Sequence, residues 1–270
     1  MTTQTTTRGE AASRSIGGRR AAIRQRTLRN DAWWAYPASV WLGLGLFTAY
    51  GIWVAFVNQD YFVKPYLSPF YSPCIANHCV DDLYPHFVPA PANFSPALII
   101  LAFPGLFRAT CYYYRKATYR AFFGSPPACA VAEPAKRYSG EMSFPFSGMN
   151  LHRYTWYFAV LLVGILSYDA AEAFLFPQGV GIGVGTGVLV INAILIAGYT
   201  FGCHSCRHIT AGRINNFSKH PVRYRMWNLV SKLNARHEEW AWASMLWIAL
   251  ADLYIRLVAA GVFNDPHWIF

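Results

Sequence analysis

Gly185–His208, GTGVLVINAILIAGYTFGCHSCRH, opens as a long apolar run and closes on two thiols and two imidazoles, Cys203, His204, Cys206 and His208. About 20 predominantly apolar residues wound as a helix cross a bilayer, because lipid tolerates only a backbone that satisfies its own hydrogen bonds. Gly185–Cys206 meets that requirement, and so do Tyr36–Val57, Pro96–Tyr114, Tyr154–Phe176 and Trp240–Val262. The pattern predicts an all-α integral membrane protein with five transmembrane helices in a bundle. The composition agrees, with 54% hydrophobic and only 13% charged residues. Ten Trp and seventeen Tyr, many near the ends of the runs, suit interfacial belts.

A net charge of +10 raises the question of nucleic acid, and the placement of the charges answers it. Of the 23 Lys and Arg, seven precede the first span, seven lie from Arg108 to Arg153, and seven from Arg207 to Arg236, leaving only Lys64 and Arg256. Cations sorted to one side follow the positive-inside rule, with a cytoplasmic N-terminus and the C-terminus outside. They require no nucleic acid. Residues 1–35 read as a basic cytoplasmic arm with little to bury, and 36–270 as the transmembrane domain. The arm runs straight into a full-length span, so no cleavable signal is expected.

The Pro-rich outer loop, residues 58–95, sets Asp60, Asp81 and Asp82 against Lys64. On the oxidising side of a membrane its Cys74 and Cys79 are expected to form a disulfide. His78 and His86 read as solvent-facing. The run GVGIGVGTG, Gly179–Gly187, follows no strand and reads as a tight turn between spans rather than a nucleotide loop.

The chemistry collects at the inner ends of the spans. Counted from Pro96, Cys111 lies about 22 Å along its helix. Cys203 and Cys206 close the fourth span, while His152 and His237 open the third and fifth. On a continuous helix Cys203 and Cys206 stand about 60° apart on one face, with the i,i+4 pair His204 and His208 facing almost the opposite way. Bundles build metal sites from side chains at one level on facing helices. Thiolates with imidazoles suit zinc or a Rieske-type [2Fe–2S] cluster, in which two His replace two Cys on one iron. Two b-haems would need axial His at two depths, which the spans do not offer. A single b-haem held by His152 with His204 or His208 leaves the cysteines idle.

FGCHSCRHITAG, followed by WNLVSKLNARHEEWAWASM within five spans, resembles the membrane-anchor subunit of actinobacterial-type succinate dehydrogenase (succinate:quinone oxidoreductase, complex II). The resemblance implies a multi-pass protein of the bacterial cell (inner) membrane, with flavoprotein and iron–sulfur subunits on its cytoplasmic face. It implies electron flow from succinate to menaquinone. Family anchors commonly hold b-haem between span histidines. This sequence departs from that pattern, which favours the Rieske-type branch. The expected ligands are Cys203 and Cys206 with His152 and His237, and Cys111 in reserve.

A quinone slot is expected at the same level, among Tyr113, Arg153, Tyr154, Trp156, Trp240 and Ser244. Asp169, Glu172 and Asp252 are costly within spans, so they are candidates for a proton path from outside; Arg256, at i,i+4, is placed to neutralise Asp252. A rival reading, a quinone-linked thiol oxidoreductase using Cys203–Cys206 with Cys74–Cys79 as shuttle, fails on sidedness. The two pairs stand on opposite sides of about 30 Å of hydrocarbon.

Overall fold

Four helices of the computed structural model are long and apolar enough to cross a membrane: Ala35–Val57 (α1), His152–Glu172 with the 3-10 turn Phe146–Leu151 before it (α4), Val184–Phe201 (α5) and His237–Ala259 (α8). A fifth candidate span is the bent pair of Pro96–Thr110 (α2) and Tyr112–Phe122 (α3), which meet at 77° about Cys111. The structure describes residues 31–91, 94–134 and 141–270; the arm expected over 1–35 lies outside them up to residue 30. Two short helices, His204–Ala211 (α6) and Pro221–Ala235 (α7), follow α5.

The described residues fall into two compact units, one up to Gly43 with Lys116–Pro134, the other Leu44–Arg115 with Glu141–Phe270. The boundaries cut inside α1 and α3. In the first unit, Trp41 packs on Phe122 with ring centroids 6.3 Å apart, and Arg120 Nε donates to the Pro127 carbonyl.

In the second unit α5 lies between α4 and α8, and α2 packs on α4. Gly198 permits the α5–α8 approach: a Cβ there would meet the Trp240 ring at 2.5 Å. The faces turned away from these contacts carry Leu46, Ile52, Phe56, Leu161, Ile194 and Leu250, all exposed. Such apolar exposure is expected where lipid replaces water. At one end of this unit Phe107, Trp156, Tyr199 and Met245 pack around Cys111, Cys203 and Cys206. At the other end Val54, Leu67, Phe70 and Tyr71 gather beneath the loop over 58–95.

Two departures from the sequence reading concern backbone breaks. The glycine run is not a tight turn: Gly179–Gly183 is a strand (β4) between Leu175–Phe176 (β3) and His267–Ile269 (β5), antiparallel to both. Its glycines are needed for close approach, since a Cβ on Gly181 would lie 2.5 Å from the Trp268 carbonyl oxygen and one on Gly183 2.2 Å from Asp265. A smaller hairpin, Phe62–Val63 (β1) with Tyr66–Leu67 (β2), shapes the outer loop, where a disulfide joins Cys74 to Cys79.

The second departure is in the opening stretch. Its helix ends at Phe201 instead of running to Cys206. The Gly202 carbonyl accepts from Asn234 Nδ2 at 2.7 Å, and the chain turns extended at Cys203 (φ −67°, ψ 146°) before α6 begins. Asn234 thus captures a carbonyl that a continuing helix would use, and the presumed shared face of Cys203 and Cys206 disappears.

Candidate metal centre

Cys111 and Cys203 occupy matching positions. Each is the extended residue at a junction of two helices, Cys111 with φ −59° and ψ 132° between α2 and α3, Cys203 between α5 and α6. Extension at a break frees a side chain from the direction its helix would impose. His152 and His237 are each the first residue of a span helix, α4 and α8. The four side chains converge on one cavity of about 500 Å³.

His152 is oriented for ligation by its neighbours. The Thr110 hydroxyl donates to the Leu106 carbonyl at 2.6 Å, so towards His152 Nδ1, 3.0 Å away, it acts as acceptor. That places the ring proton on Nδ1 and leaves the Nε2 lone pair facing Cys203 Sγ at 3.0 Å. Holding the far nitrogen of a ligand imidazole is what an outer hydrogen bond does at metal sites. Phe107 stacks on the same ring at 4.9 Å. His237 is arranged in parallel: its Nε2 lies 3.5 Å from Cys111 Sγ and its ring stacks on Tyr199 at 5.1 Å. Its Nδ1 is buried with no hydrogen-bond partner.

Burial pushes the Cys203 thiol up to about 12, and burial also raises Cys206. A thiol so buried is protonated at neutral pH, and a metal ion would displace that proton on binding.

The spacing of the donors bears on what fits. Tetrahedral sulfur and nitrogen ligands of one zinc ion sit about 3.3–3.8 Å from one another. Among the described residues, the His, Cys and carboxylate ligand atoms that fall within 4.8 Å of one another in threes are those of Cys74, Cys79 and Asp81. There both sulfurs are spent in the disulfide. The quartet on the cavity therefore forms two close Cys–His pairs rather than one tight tetrahedron.

The structure sorts the remaining sequence candidates. Tyr113 and Arg153 line the cavity, as do His204, Arg115 and Asn150, whereas Cys206 and His208 do not. Trp242 Nε1 donates to the Tyr113 hydroxyl at 2.7 Å. Tyr154 is 65% exposed. Trp156 is buried and spends its N–H on the Thr200 carbonyl, and Trp240 lies against Gly198. Ser244 is fully buried, donating to the Ala241 carbonyl and accepting from Arg108 at 3.0 Å.

Asp169, Glu172 and Asp252 stand at the far ends of α4 and α8, roughly 20–30 Å along from His152 and His237. Asp169 accepts from Tyr84 of the outer loop. Asp252 is enclosed by donors, Tyr50, Ser68 and Arg256.

Thr110, Arg108 and Tyr199 belong to the centre and were not singled out by sequence reasoning. The available signal was Thr110 and Arg108 as the polar residues nearest Cys111 at the end of an apolar run.

A family model described as the actinobacterial succinate dehydrogenase subunit SdhC matches residues 35–261. A chain of the Mycobacterium smegmatis Sdh1 complex in the apo form superposes with a TM-score of 0.86 at 47% identity, covering 92% of this chain and 95% of that one. No curated protein matches.

Proposed function

Because this chain belongs to the family of actinobacterial succinate dehydrogenase SdhC subunits, we propose that its inner cavity holds a Rieske-type [2Fe–2S] centre relaying electrons from succinate to menaquinone. The chain is a multi-pass membrane-anchor subunit of a succinate dehydrogenase complex in the bacterial inner membrane, assembled with the other subunits and serving quinone. In this reading the N-terminus is cytoplasmic and the C-terminus outside, with flavoprotein and iron–sulfur subunits docked on the face where the cavity lies. The observation that carries the proposal is the gathering of two thiols and two imidazoles, those of Cys111, Cys203, His152 and His237, around one cavity. Cys111 moves from reserve to ligand, and Cys206 leaves the set.

When bound, a centre of this kind supplies one-electron relay. The residues do the rest. Thr110 holds the His152 tautomer, Phe107 and Tyr199 fix the two ring planes, and the burial of Cys203 keeps water from the sulfur. A quinone head at the cavity mouth would meet Arg153, Asn150 and the hydroxyl of Tyr113 as polar partners. The haem alternative loses His208, which does not line the cavity, and keeps His204, which does; against it stands the Nε2 of His152, which faces a sulfur. Proton entry from outside through Asp169 and Glu172 remains part of the proposal. Asp252 is bound too tightly by Arg256 to carry protons readily.

Electron paramagnetic resonance of the purified complex, reduced by succinate and then by dithionite, tests this. A Rieske-like signal with two additional irons and two acid-labile sulfides per complex, beyond those of the other subunits, is expected. A low-spin haem spectrum alone would overturn it.

A further inference from the structure

Arg108 is a cation inside a span beside the metal centre, and nothing in the relay described so far uses it. Its guanidinium donates to the Tyr114 hydroxyl at 2.7 Å, to Ser244 Oγ at 3.0 Å and to the Ala241 carbonyl at 3.3 Å. Those three partners are neutral. The salt bridges of the described residues pair Lys64 with Asp82, His86 with Asp81, Arg115 with Glu141 and Arg256 with Asp252; none involves Arg108. A charge within a membrane protein is normally paired or functional.

Its position relative to the ligands is specific. The guanidinium carbon stands 4.7 Å from the centroid of the Tyr199 ring, and the His237 imidazole stacks on that same ring at 5.1 Å. Arg108 also sits one turn before Cys111, whose amide donates to the Arg108 carbonyl at 3.1 Å. One cation therefore adjoins the Cys111–His237 pair through a shared ring and a shared helix end, in an apolar cluster that screens it poorly.

Resting on the [2Fe–2S] reading, we infer that Arg108 is a positioning residue that raises the reduction potential of the centre by placing an uncompensated positive charge beside the Cys111–His237 pair. Two thiolates and two neutral imidazoles leave an oxidised cluster near neutrality. The electron derived from succinate adds one negative charge with no proton taken up at these ligands. Arg108 stabilises that added charge. At roughly 10 Å and an effective dielectric of about 20, a unit charge changes the reduced-to-oxidised ratio by about tenfold or more. Reduction by succinate is thereby made more favourable at a buried site where an uncompensated anion would be costly.

The test is a redox titration of the intact complex, followed by the paramagnetic signal of the centre, in Arg108→Gln, Arg108→Lys and Ser244→Asp. Arg108→Gln is expected to lower the reduced-to-oxidised ratio at fixed potential at least tenfold, a midpoint fall of about 59 mV for one electron. Arg108→Lys keeps the charge and is expected to stay within threefold of the parent. Ser244→Asp sets a carboxylate against the guanidinium and should mimic Arg108→Gln with Arg108 still in place, which serves where Arg108→Gln does not assemble. An unmoved midpoint in either neutralising variant, or an Arg108→Lys midpoint as low as that of Arg108→Gln, overturns the inference. A parent complex without any such signal removes the cluster reading itself, an outcome distinct from a normal signal whose midpoint does not respond.

Discussion

Replacing the buried ion pair towards the C-terminal end of α8 shows how the bundle is held. Arg256 Nε lies 2.8 Å from Asp252 Oδ2, and the two side chains are 7% and 0% exposed. Asp252 also accepts from Tyr50 of α1 and Ser68 of the outer loop. Arg256 donates to the Gln59 carbonyl and lies over the rings of Trp53 and Tyr71. Three segments meet at this pair. Breaking a buried pair by removing one partner costs about 3–5 kcal/mol. Arg256→Met leaves the carboxylate two hydroxyl donors, so it falls near the lower end, about 3 kcal/mol. Asp252→Leu removes one acceptor from three donors and strands the guanidinium, so it falls near the upper end, about 5 kcal/mol. The double variant strands no charge and is expected to cost about 3 kcal/mol, about 5 kcal/mol less than the sum. Thermal denaturation of the detergent-purified complex, read by tryptophan fluorescence, should rank Asp252→Leu lowest and the double variant close to Arg256→Met. A double variant that denatures below both singles would refute the argument.

Gly198→Val drives a branched side chain into the Trp240 ring, already 2.5 Å from a Cβ at that position, and should cost about 1–3 kcal/mol while displacing the start of α8; Trp240→Ala in the same chain should recover part of the loss in the same denaturation assay. Reducing the Cys74–Cys79 bond, which closes a short loop, should cost about 2 kcal/mol, and alkylation of the unreduced complex followed by mass spectrometry should label neither thiol. Burial raises the Asp81 carboxyl above its ordinary value, outweighing the lowering by the Leu83 and Tyr84 amides and by His86. The folded state therefore binds this proton more tightly than the unfolded chain, and stability from this group is present at low pH and declines as pH rises through the folded value. Asp81→Asn, which keeps the acceptor for both amides, should flatten that decline in melting curves taken across pH 4–7.

The candidate spans were legible because lipid imposes a length and a composition that a single chain displays directly; counting along each run set Cys111, Cys203, Cys206, His152 and His237 at one level, of which Cys206 does not line the cavity. What the runs concealed were the breaks. A polar side chain on a later helix, Asn234, ends α5 at Gly202, and the bend at Cys111 ends α2; both depend on partners distant in sequence. Those breaks decided the ligand choice, since Cys206 shares a face with Cys203 only on a continuous helix. Gly179–Gly183 misled for a related reason. Its strand exists because β5, more than eighty residues later, pairs with it, and no local alternation announces that.

The identity of the second thiolate decides the account. Complexes carrying Cys111→Ala or Cys206→Ala, reduced with dithionite and examined by electron paramagnetic resonance alongside iron and sulfide analysis, separate the two arrangements. The geometry predicts that Cys111→Ala abolishes the Rieske-like signal and that Cys206→Ala retains it with unchanged iron content. Loss of the signal in Cys206→Ala with its persistence in Cys111→Ala would contradict the centre built on Cys111, Cys203, His152 and His237.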